Sequence, residues 1–579
     1  MSKKQCFKDH TRLPVELWKV VIDGVSNGDL WSFLGLCKDA KEAVIERCSD
    51  EHNGEQLLNK EQVDAWIRVI LLGQCVFLTG GAGVGKTHTL RNIADEFLSA
   101  EDPSALAIAA PTGAAARLAS TSAIVAKTIH LLFNIRNTKR LAGSPPCTFV
   151  DDTPADPEAT LQSLEDDAEG VDEDHEEGGK PTSVLNYKTK QCLQSLKLLI
   201  IDEVSMLSRE LLELIDVSLQ AARSSEKPFG GCVVLAVGDF FQLAPVAKAG
   251  SWAFKSTSWT HFRPIQLTRI IRQSDKKFAG ILNRIRVGAC SASDAAWIRS
   301  KSYRPGDAQF AIFPSNKKCK NRNEQMMARL TGQRASLPCL QYCVELISSK
   351  PWRTQFLRPE HTPHFVKYSD NPSAKDLQLK VNCRVRCTKN VYSRELAATS
   401  SDNGRTLIVA NGQRGTVISI DDDQDSVKVL WDKIGDSEPE ELSMVRECWP
   451  RRWRSRSGGK TIIAITKQFP LLPAFAITLH AAQGASVSSA IDIDHRGVEP
   501  DASGKWATKP ASAYVALSRA TSIENVRLLS RFEASDARCD PEVADYYFRT
   551  VGTDESGGIL LKRNECMQTV VSIFSKNSV

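Results

Sequence analysis

The sequence predicts an α/β protein with two parallel-sheet domains, the second of which carries a smaller β insertion. Short buried strands such as CVFLTG alternate with helical segments up to Pro264, and a second alternation begins after that residue. Between roughly Leu346 and Lys467 the pattern changes to short alternating strands separated by turns rich in Gly and Asp. At 579 residues the chain is too long for one core, so several domains are expected.

These changes of pattern give the domain boundaries. We predict a helical segment at 1–50, a first α/β domain at 55–262 with an acidic disordered insert at 150–180, a second α/β domain at 263–345 and 465–545, the β insertion at 346–464, and a C-terminal tail at 546–579. No run of about 18 apolar residues occurs, so no membrane span is expected. The start of the chain lacks the apolar centre of a signal peptide, so we expect a protein that is not secreted, with reduced cysteines.

Charge is distributed unevenly along the chain. Residues 151–179 hold thirteen acidic residues and no Lys or Arg, so the remainder carries a net charge of +18 rather than the +5 of the whole chain. A basic folded part is what a phosphate-backbone partner requires. The acidic run contains no aromatic residue and is interpreted as a disordered loop, either solvated filler or a nucleic-acid mimic that screens an empty groove.

Four cysteines in and just before the β insertion allow two interpretations. Cys339 and Cys343, and likewise Cys383 and Cys387, are separated by three residues and form a conceivable zinc quartet. Zinc knuckles usually have turn glycines between their ligands, so buried strand cysteines are the favoured interpretation.

A glycine-rich loop follows the strand CVFLTG and opens a helix. In GGAGVGKT, backbone N–H groups and the helix N-terminus are expected to bind phosphates, Lys86 to place its charge on the β and γ oxygens, and the Thr87 hydroxyl to ligate Mg²⁺. The predicted ATP-binding residues of this loop are Gly80, Gly81, Ala82, Gly83, Val84, Gly85, Lys86, Thr87 and His88.

Two later strands end in residues that complete an ATP-hydrolysing site. LLIIDE ends in Asp202, a predicted Mg²⁺ ligand, and Glu203, which is placed to orient and deprotonate the attacking water. In GDFFQLAPV, Gln242 is the predicted sensor of the terminal phosphate. A sensor glutamine downstream of a phosphate loop is typical of a motor that works on nucleic acid, with ATP and Mg²⁺ as cofactors.

Two arginines of the second α/β domain are candidates for the charge that stabilises phosphoryl transfer. Arg272 lies in LTRIIRQ and Arg519 in YVALSRAT. An arginine finger raises the rate by about 10³–10⁵, and a finger supplied by the second domain makes the cleft close on ATP and open on ADP.

A cationic, aromatic segment lies near the end of the β insertion. WPRRWRSRSGGK places Arg451 and Arg452 between two tryptophans, the combination with which proteins hold single strands. We predict a DNA contact here, with a solvated loop or a localisation signal as the alternatives.

Taken together, the motifs resemble those of superfamily 1 helicases, and most closely the Pif-type DNA helicases. The matching strings are LNKEQ, GGAGVGKT, APTGAAA with KTIH, IIDEVSML, PFGGCVVLAVGDFFQLAPV, LTRIIRQ, FPSN with NRNE, LQLKVNCRVRCTKNV, ANGQRGTV, FAITLHAAQG and YVALSRA. They run from Leu58 to Leu529, about four-fifths of the chain.

The resemblance implies two RecA-like P-loop NTPase motor domains and an SH3-like β-barrel insertion. It implies an ATP-dependent 5′-to-3′ DNA helicase that acts on single-stranded DNA and duplex junctions in replication, repair, recombination or telomere maintenance. Gln62 would read the adenine edge. The family's strand contacts fall on Pro111, Thr112, Thr128 and His130 in the first motor domain, and on His480, Gln483, Gly484 and Ser486 in the second.

The sequence departs from the family pattern in three places. Ala244 stands before Pro245, where the family has two prolines after the sensor Gln-Leu. HAAQG replaces the commoner His-Lys-Ser-Gln-Gly, which removes one strand-facing cation. The acidic run lies where the family carries its duplex-splitting wedge, so the wedge is expected to be rebuilt or displaced.

The N-terminal segment resembles an F-box. LPVELW, with Leu13 and Pro14, and the later Asp29-Leu30 carry this resemblance, which implies a Skp-type adaptor and a eukaryotic or eukaryotic-virus setting. An amphipathic helical cap is the alternative. We expect a nuclear protein, with the mitochondrion or a viral setting in the host cytoplasm as alternatives. The second class of function is an F-box-type adaptor or DNA-binding protein with a weak or vestigial motor.

Overall fold

The structure is a computed structural model. It describes residues 59–550, apart from 122, 139–146, 150–179, 246–251, 274, 303–307, 309, 333, 348–353, 358–375, 393–406, 422–424, 433–438, 455–459 and 497–508. The F-box-like segment and the acidic run therefore lie outside the described residues. Within the described part, no helix has the length and apolar content needed to cross a membrane.

The first domain is built on a six-stranded sheet in which every neighbouring pair is parallel, in the order β3-β2-β7-β8-β1-β9. Its strands are β1 (Val76–Gly80), β2 (Leu106–Ala110), β3 (Lys127–Thr128), β7 (Leu198–Ile201), β8 (Val233–Gly238) and β9 (Arg263–Leu267). Strands β1, β2 and β7 are buried along their whole length, as expected when helices cover both faces of a parallel sheet. A small sheet of β4 (Ile135–Thr138), β5 (Cys147–Phe149) and β6 (Lys180–Leu185) lies beside it.

The helices of the first domain pack on the two faces of this sheet. They are α1 (Lys60–Trp66), which continues as a wider turn at Ile67–Leu71, α2 (Lys86–Ala100), α3 (Gly113–Ala119), α4 (Ile129–Leu132), α5 (Tyr187–Ser195) and α6 (Arg209–Arg223). Successive residues of β1 point to opposite faces, so Phe77 belongs to one core and Leu78 to the other.

The first domain extends beyond its predicted boundary. The prediction began the second domain at residue 263, but Arg263–Leu267 pairs with β1 as the last strand of the first sheet. Pro264 was interpreted as a break in the pattern. An edge strand tolerates proline because the missing N–H belongs to the side without a partner strand.

The second domain has a four-stranded parallel sheet in the order β24-β10-β25-β26. Its elements are α7 (Lys276–Arg286), α8 (Ala292–Ser302), β10 (Phe310–Phe313), α9 (Asn316–Arg329), β24 (Ala476–Thr478), β25 (Ile491–Ile493), α10 (Ser512–Leu517) and β26 (Val526–Leu528). Ala82 and Leu243 of the first domain are buried in the core of the second, so the two domains share apolar packing.

The β insertion is wider than predicted, because its strands begin at residue 334 and end at residue 473 rather than spanning 346–464. They are β11 (Arg334–Leu337), β12 (Leu340–Ile347), β13 (Thr354–Leu357), β14 (Leu377–Lys380), β15 (Arg384–Cys387), β16 (Val391–Tyr392), β17 (Leu407–Val409), β18 (Arg414–Asp421), β19 (Ser426–Trp431), β20 (Glu440–Val445), β21 (Glu447–Arg454), β22 (Lys460–Gln468) and β23 (Leu471–Pro473). Cys383 and Cys387 are fully buried in its core, as the strand-cysteine interpretation predicts.

A last helix, α11 (Pro541–Thr550), returns from the second domain to the first. Tyr546 accepts a hydrogen bond from Trp259 Nε1 at 2.8 Å, and Tyr547 is buried beside Phe77. The predicted tail from residue 546 therefore begins inside a helix whose aromatic face completes the core of the first domain.

Candidate active site

The phosphate loop connects β1 to α2, as the sequence predicts. Gly85 caps α2 in the left-handed conformation, with φ of 87°. The Lys86 ammonium donates to the carbonyl oxygens of Gly80 and Gly81, both at 2.8 Å. Burial lowers the pKa of Lys86. A partly buried cation that donates to loop carbonyls gains more than a fully exposed one when it contacts a phosphate, because less water competes for it.

Gly83 is the point where the phosphate loop meets the connection between the domains. Its φ is +80°, and a Cβ there would lie 2.3 Å from the Cβ of Arg272. The backbone N–H groups of Ile271 and Arg272 donate to the Gly83 carbonyl at 2.8 and 3.1 Å. No other residue type fits this close approach, so the glycine places Arg272 directly against the loop.

Asp202 and Glu203 follow β7 and form the acidic side of the site. Asp202 Oδ1 accepts the Glu203 backbone N–H at 2.8 Å. Burial, and then the charge of Glu203, raise the pKa of Asp202 to about 7. A buried carboxyl beside a second carboxylate suits a hard divalent cation with oxygen ligands. Thr87 and Asp202 would hold Mg²⁺, which supplies positive charge to the phosphates.

This raised pKa makes Asp202→Asn a stabilising substitution in the absence of Mg²⁺ and nucleotide. The folded protein binds the Asp202 proton more tightly than the unfolded chain, so ionisation begins to reduce stability above about pH 4 and does so fully above about pH 7. At about 1.4 kcal/mol for each unit of pKa, the variant should gain about 2–4 kcal/mol at pH 8 and nothing at pH 4. Urea unfolding at the two pH values measures this, and equal stability at pH 8 would contradict it.

Glu203 has a strained backbone. Its φ and ψ are 51° and 44°, a left-handed conformation that is uncommon for a residue with a Cβ. Such strain persists where the surrounding structure holds it, and it is typical of functional sites. Here it aims the carboxylate of the predicted base out of the sheet edge, toward the second domain.

The two predicted glutamines are both buried. Gln62 is held by the cap of α1, where Asn59 N donates to its Oε1 at 2.7 Å, and its Nε2 donates to Thr89 Oγ1 at 2.8 Å. Gln242 is 4% exposed, and its Oε1 has no hydrogen-bond partner among the described residues. A buried amide oxygen without a donor is costly, so Gln242 is suited to respond when a ligand enters.

The two predicted arginine fingers lie next to each other. Arg272 donates to the Ser518 carbonyl at 3.1 Å, and burial and then the charge of Arg519 lower the pKa of Arg272 to about 10. Arg519 is 1% exposed and donates through Nε to the Val515 carbonyl at 2.9 Å. The structure thus brings both arginines to the cleft, where Arg519 is held by carbonyls of its own domain.

Four of the predicted strand contacts lie at the carboxyl ends of β2 and β3, which are neighbours in the sheet. Pro111 follows β2, Thr112 caps α3 by accepting from Ala115 N at 3.2 Å, and Thr128 caps α4 by accepting from Leu131 N at 3.3 Å. His130 lies in the first turn of α4. Parallel strands bring their ligand-binding residues to this edge, so the four residues form one surface.

The other predicted contacts lie in the second domain and the insertion. His480, Gln483 and Ser486 lie after β24, where His480 is partly buried and Ser486 is exposed. Burial, and then the charge of Lys509, lower the pKa of His480, so the ring is neutral at physiological pH. Arg451 and Arg452 lie in β21, which pairs with β22. The part of their segment up to Arg454 is therefore a strand, and residues 455–459 lie outside the described residues.

A buried ion pair lies at the domain interface and was not predicted from the sequence. Asp239, directly after β8, accepts from Arg286 of α7 at 2.9 and 2.7 Å. Both side chains are at most 1% exposed. Tyr547 of α11 adds a hydroxyl that accepts from Phe240 N at 3.3 Å. Asp239 belongs to the GDFFQ string, but no local pattern points to its partner in α7.

Tyr514 lies in the YVALSRA motif, but the motif does not predict that this side chain contacts the phosphate loop. Its hydroxyl accepts the Ala82 N–H of the phosphate loop at 2.6 Å. Burial raises the pKa of Tyr514 to about 12, so the hydroxyl stays protonated. In this structure, therefore, one N–H group of the phosphate loop is hydrogen-bonded to a side chain of the second domain.

Comparison with known proteins gives the same assignment. A family model described as an AAA domain matches residues 57–302. The ATP-dependent DNA helicase Pif1 of Bdellovibrio bacteriovorus is 28% identical over 85% of this chain and 91% of its own length. The chain is thus similar to Pif1-type helicases over about 85% of its length. Human PIF1 is 27% identical over 85% of this chain. The match covers 63% of the longer human protein.

A solved structure shows that the fold is shared. Pif1 helicase from Bacteroides, in complex with ADP-AlF3 and ssDNA, matches with a TM-score of 0.60 and 22% identity, covering 87% of this chain and 99% of that one. The predicted RecA-like fold is confirmed. At this identity the likeness describes the architecture, and the roles of individual residues rest on the geometry above.

Proposed function

We propose that this Pif1-type chain is an ATP-dependent DNA helicase that moves 5′ to 3′ along single-stranded DNA. The contact between Arg272 and Gly83 carries the proposal, because it places an arginine against the phosphate loop at the junction of two parallel-sheet domains. Lys86, Asp202 and Glu203 lie on the first-domain side of the same cleft. Closure on ATP would then bring charge to the transferring phosphate and move the two strand-facing surfaces relative to each other.

The names of its relatives support the choice of substrate. The bacterial and human relatives are named ATP-dependent DNA helicases, and the Bacteroides structure contains ssDNA. The basic net charge outside the acidic run suits a phosphate backbone. The proposal extends to work at duplex junctions during replication, repair, recombination or telomere maintenance, and to a nuclear location.

Polarity and unwinding can be tested together with tailed duplexes. We expect ATP-dependent strand separation with a 5′ single-stranded tail and none with a 3′ tail of the same length and sequence. A blunt duplex serves as the control for tail-independent opening. Separation of the 3′-tailed duplex alone would reject the proposed direction, and ATP hydrolysis without separation of any duplex would reduce the proposal to a translocase.

The adaptor function rests on the sequence alone. If residues 1–50 form an F-box, the intact chain should capture a purified Skp-type protein, and Leu13→Ala with Pro14→Ala should abolish capture. Capture that survives this double substitution would assign the binding to another surface.

A further inference from the structure

The turn that carries three predicted strand contacts also touches the predicted base. We call residues Leu479–Ala485 the Gln483 turn. It follows β24 and is closed by backbone hydrogen bonds from Ala482 N to Thr478 O at 3.0 Å and from Gln483 N to His480 O at 3.2 Å. Because these bonds fix its shape, a displacement on one side of the turn is transmitted to the other.

The inner side of the Gln483 turn binds groups of the catalytic site. Gln483 Nε2 donates to Glu203 Oε2 and to Ser205 Oγ, both at 3.0 Å. The carbonyl of Ala485 accepts from Arg519 at 3.3 Å. The turn is therefore hydrogen-bonded to one oxygen of the predicted base, Glu203, and to one nitrogen of the predicted arginine finger, Arg519, at the same time.

The outer side of the turn is accessible. Ala481 is exposed and His480 is partly buried. Gly484, with φ of +80°, lets the turn approach the first domain, since a Cβ there would lie 3.3 Å from Glu203 Oε1 and 3.4 Å from Leu118 of α3. A DNA strand that contacts His480 would therefore push on a turn that is already in close contact with Glu203.

The amide of Gln483 is only half satisfied in this position. The side chain is 8% exposed, and its Oε1 has no hydrogen-bond partner among the described residues. An amide that donates twice but accepts nothing loses little when it moves to a position where both ends are bonded. Gln483 is therefore poised to leave Glu203 when an alternative partner arrives.

We propose that Gln483 is a positioning residue that restrains Glu203 in the absence of DNA and releases it when a strand binds the Gln483 turn. The inference rests on the proposed function. The hydrogen bond from Gln483 holds the Glu203 carboxylate against the turn, so the carboxylate cannot reorient toward the attacking water, which slows hydrolysis. Release lets the carboxylate reorient, so strand binding stimulates ATP hydrolysis through this one hydrogen bond.

Gln483→Met tests the inference, because methionine matches glutamine in size but donates no hydrogen bond. We expect kcat for ATP without DNA to rise about tenfold, the effect of about 1.4 kcal/mol on the barrier. The KM for ATP should stay within about twofold, and the rate with saturating single-stranded DNA should change little, so the stimulation ratio falls. Ser205→Ala removes the second acceptor of the same amide but keeps the contact to Glu203, so it should not raise the rate without DNA.

Gln220→Met is the matched control. Gln220 Nε2 also donates to a carboxylate, Asp216 Oδ1 at 3.0 Å, but lies in α6 away from the cleft. It should leave the stimulation ratio unchanged. An equal fall in both rates for Gln483→Met would make Gln483 a structural support only, and an unchanged ratio would likewise overturn the inference. A parent protein without DNA stimulation would instead refute the proposed function.

Discussion

Lys86→Ala will abolish ATP hydrolysis stimulated by single-stranded DNA, with a fall in kcat of about a thousandfold. The physical reason is that Lys86 is a partly buried cation that donates to loop carbonyls, so its charge is available for the phosphates. Steady-state hydrolysis with and without DNA measures the effect.

Lys197→Ala is the control for this substitution. Lys197 is an exposed lysine of the first domain that pairs with Glu101 at the surface, so its loss should leave turnover unchanged. Binding of a labelled single strand to Lys86→Ala should persist, which separates loss of chemistry from loss of folding. Normal turnover in Lys86→Ala would refute the assignment of the ATP site.

Asp239→Asn will destabilise the protein by about 3–5 kcal/mol, because it leaves the Arg286 charge buried without its counter-ion. Burial by itself lowers the pKa of Arg286, but the charge and hydrogen bonds of Asp239 raise it above its ordinary value. Arg286→Met should cost a similar amount, since it leaves a buried carboxylate. Urea unfolding of the single variants measures both losses.

The double variant Asp239→Asn with Arg286→Met separates the pair from its surroundings. It removes both charges, so we expect it to recover most of the lost stability. Asp545→Asn breaks an exposed ion pair with Arg549 in α11 and should cost less than about 1 kcal/mol. Additive losses in the double variant would show that Asp239 and Arg286 are not energetically coupled.

Some errors in the predicted fold share a cause. Pro264 and the end of the second alternation were interpreted locally, yet β9 and α11 both belong to the core of the first domain. β9 is an edge strand with a proline, and α11 is a helix far along the chain. Neither has a local sequence pattern that identifies the domain against which it packs. The β insertion was placed too narrowly for the same reason, since its outer strands are recognised by their pairing.

The sequence by itself determined which residues are candidates for the chemistry of this protein. The strings around Lys86, Asp202, Glu203 and Gln242 require particular residues at fixed spacing after buried strands. Because these constraints are local, they can be recognised from the sequence alone. Arg272 and Arg519 could be recognised as candidate arginine fingers for the same reason, since each lies in a short motif.

The tertiary structure alone decided how these groups are connected. Gln483 on Glu203, Tyr514 on Ala82 and Arg286 on Asp239 join residues between 47 and 432 positions apart. Such contacts depend on how the two domains dock, and docking is set by shared apolar packing and buried polar pairing rather than by any short motif. Candidate catalytic residues could therefore be named from the sequence, whereas their contacts across the two domains could not.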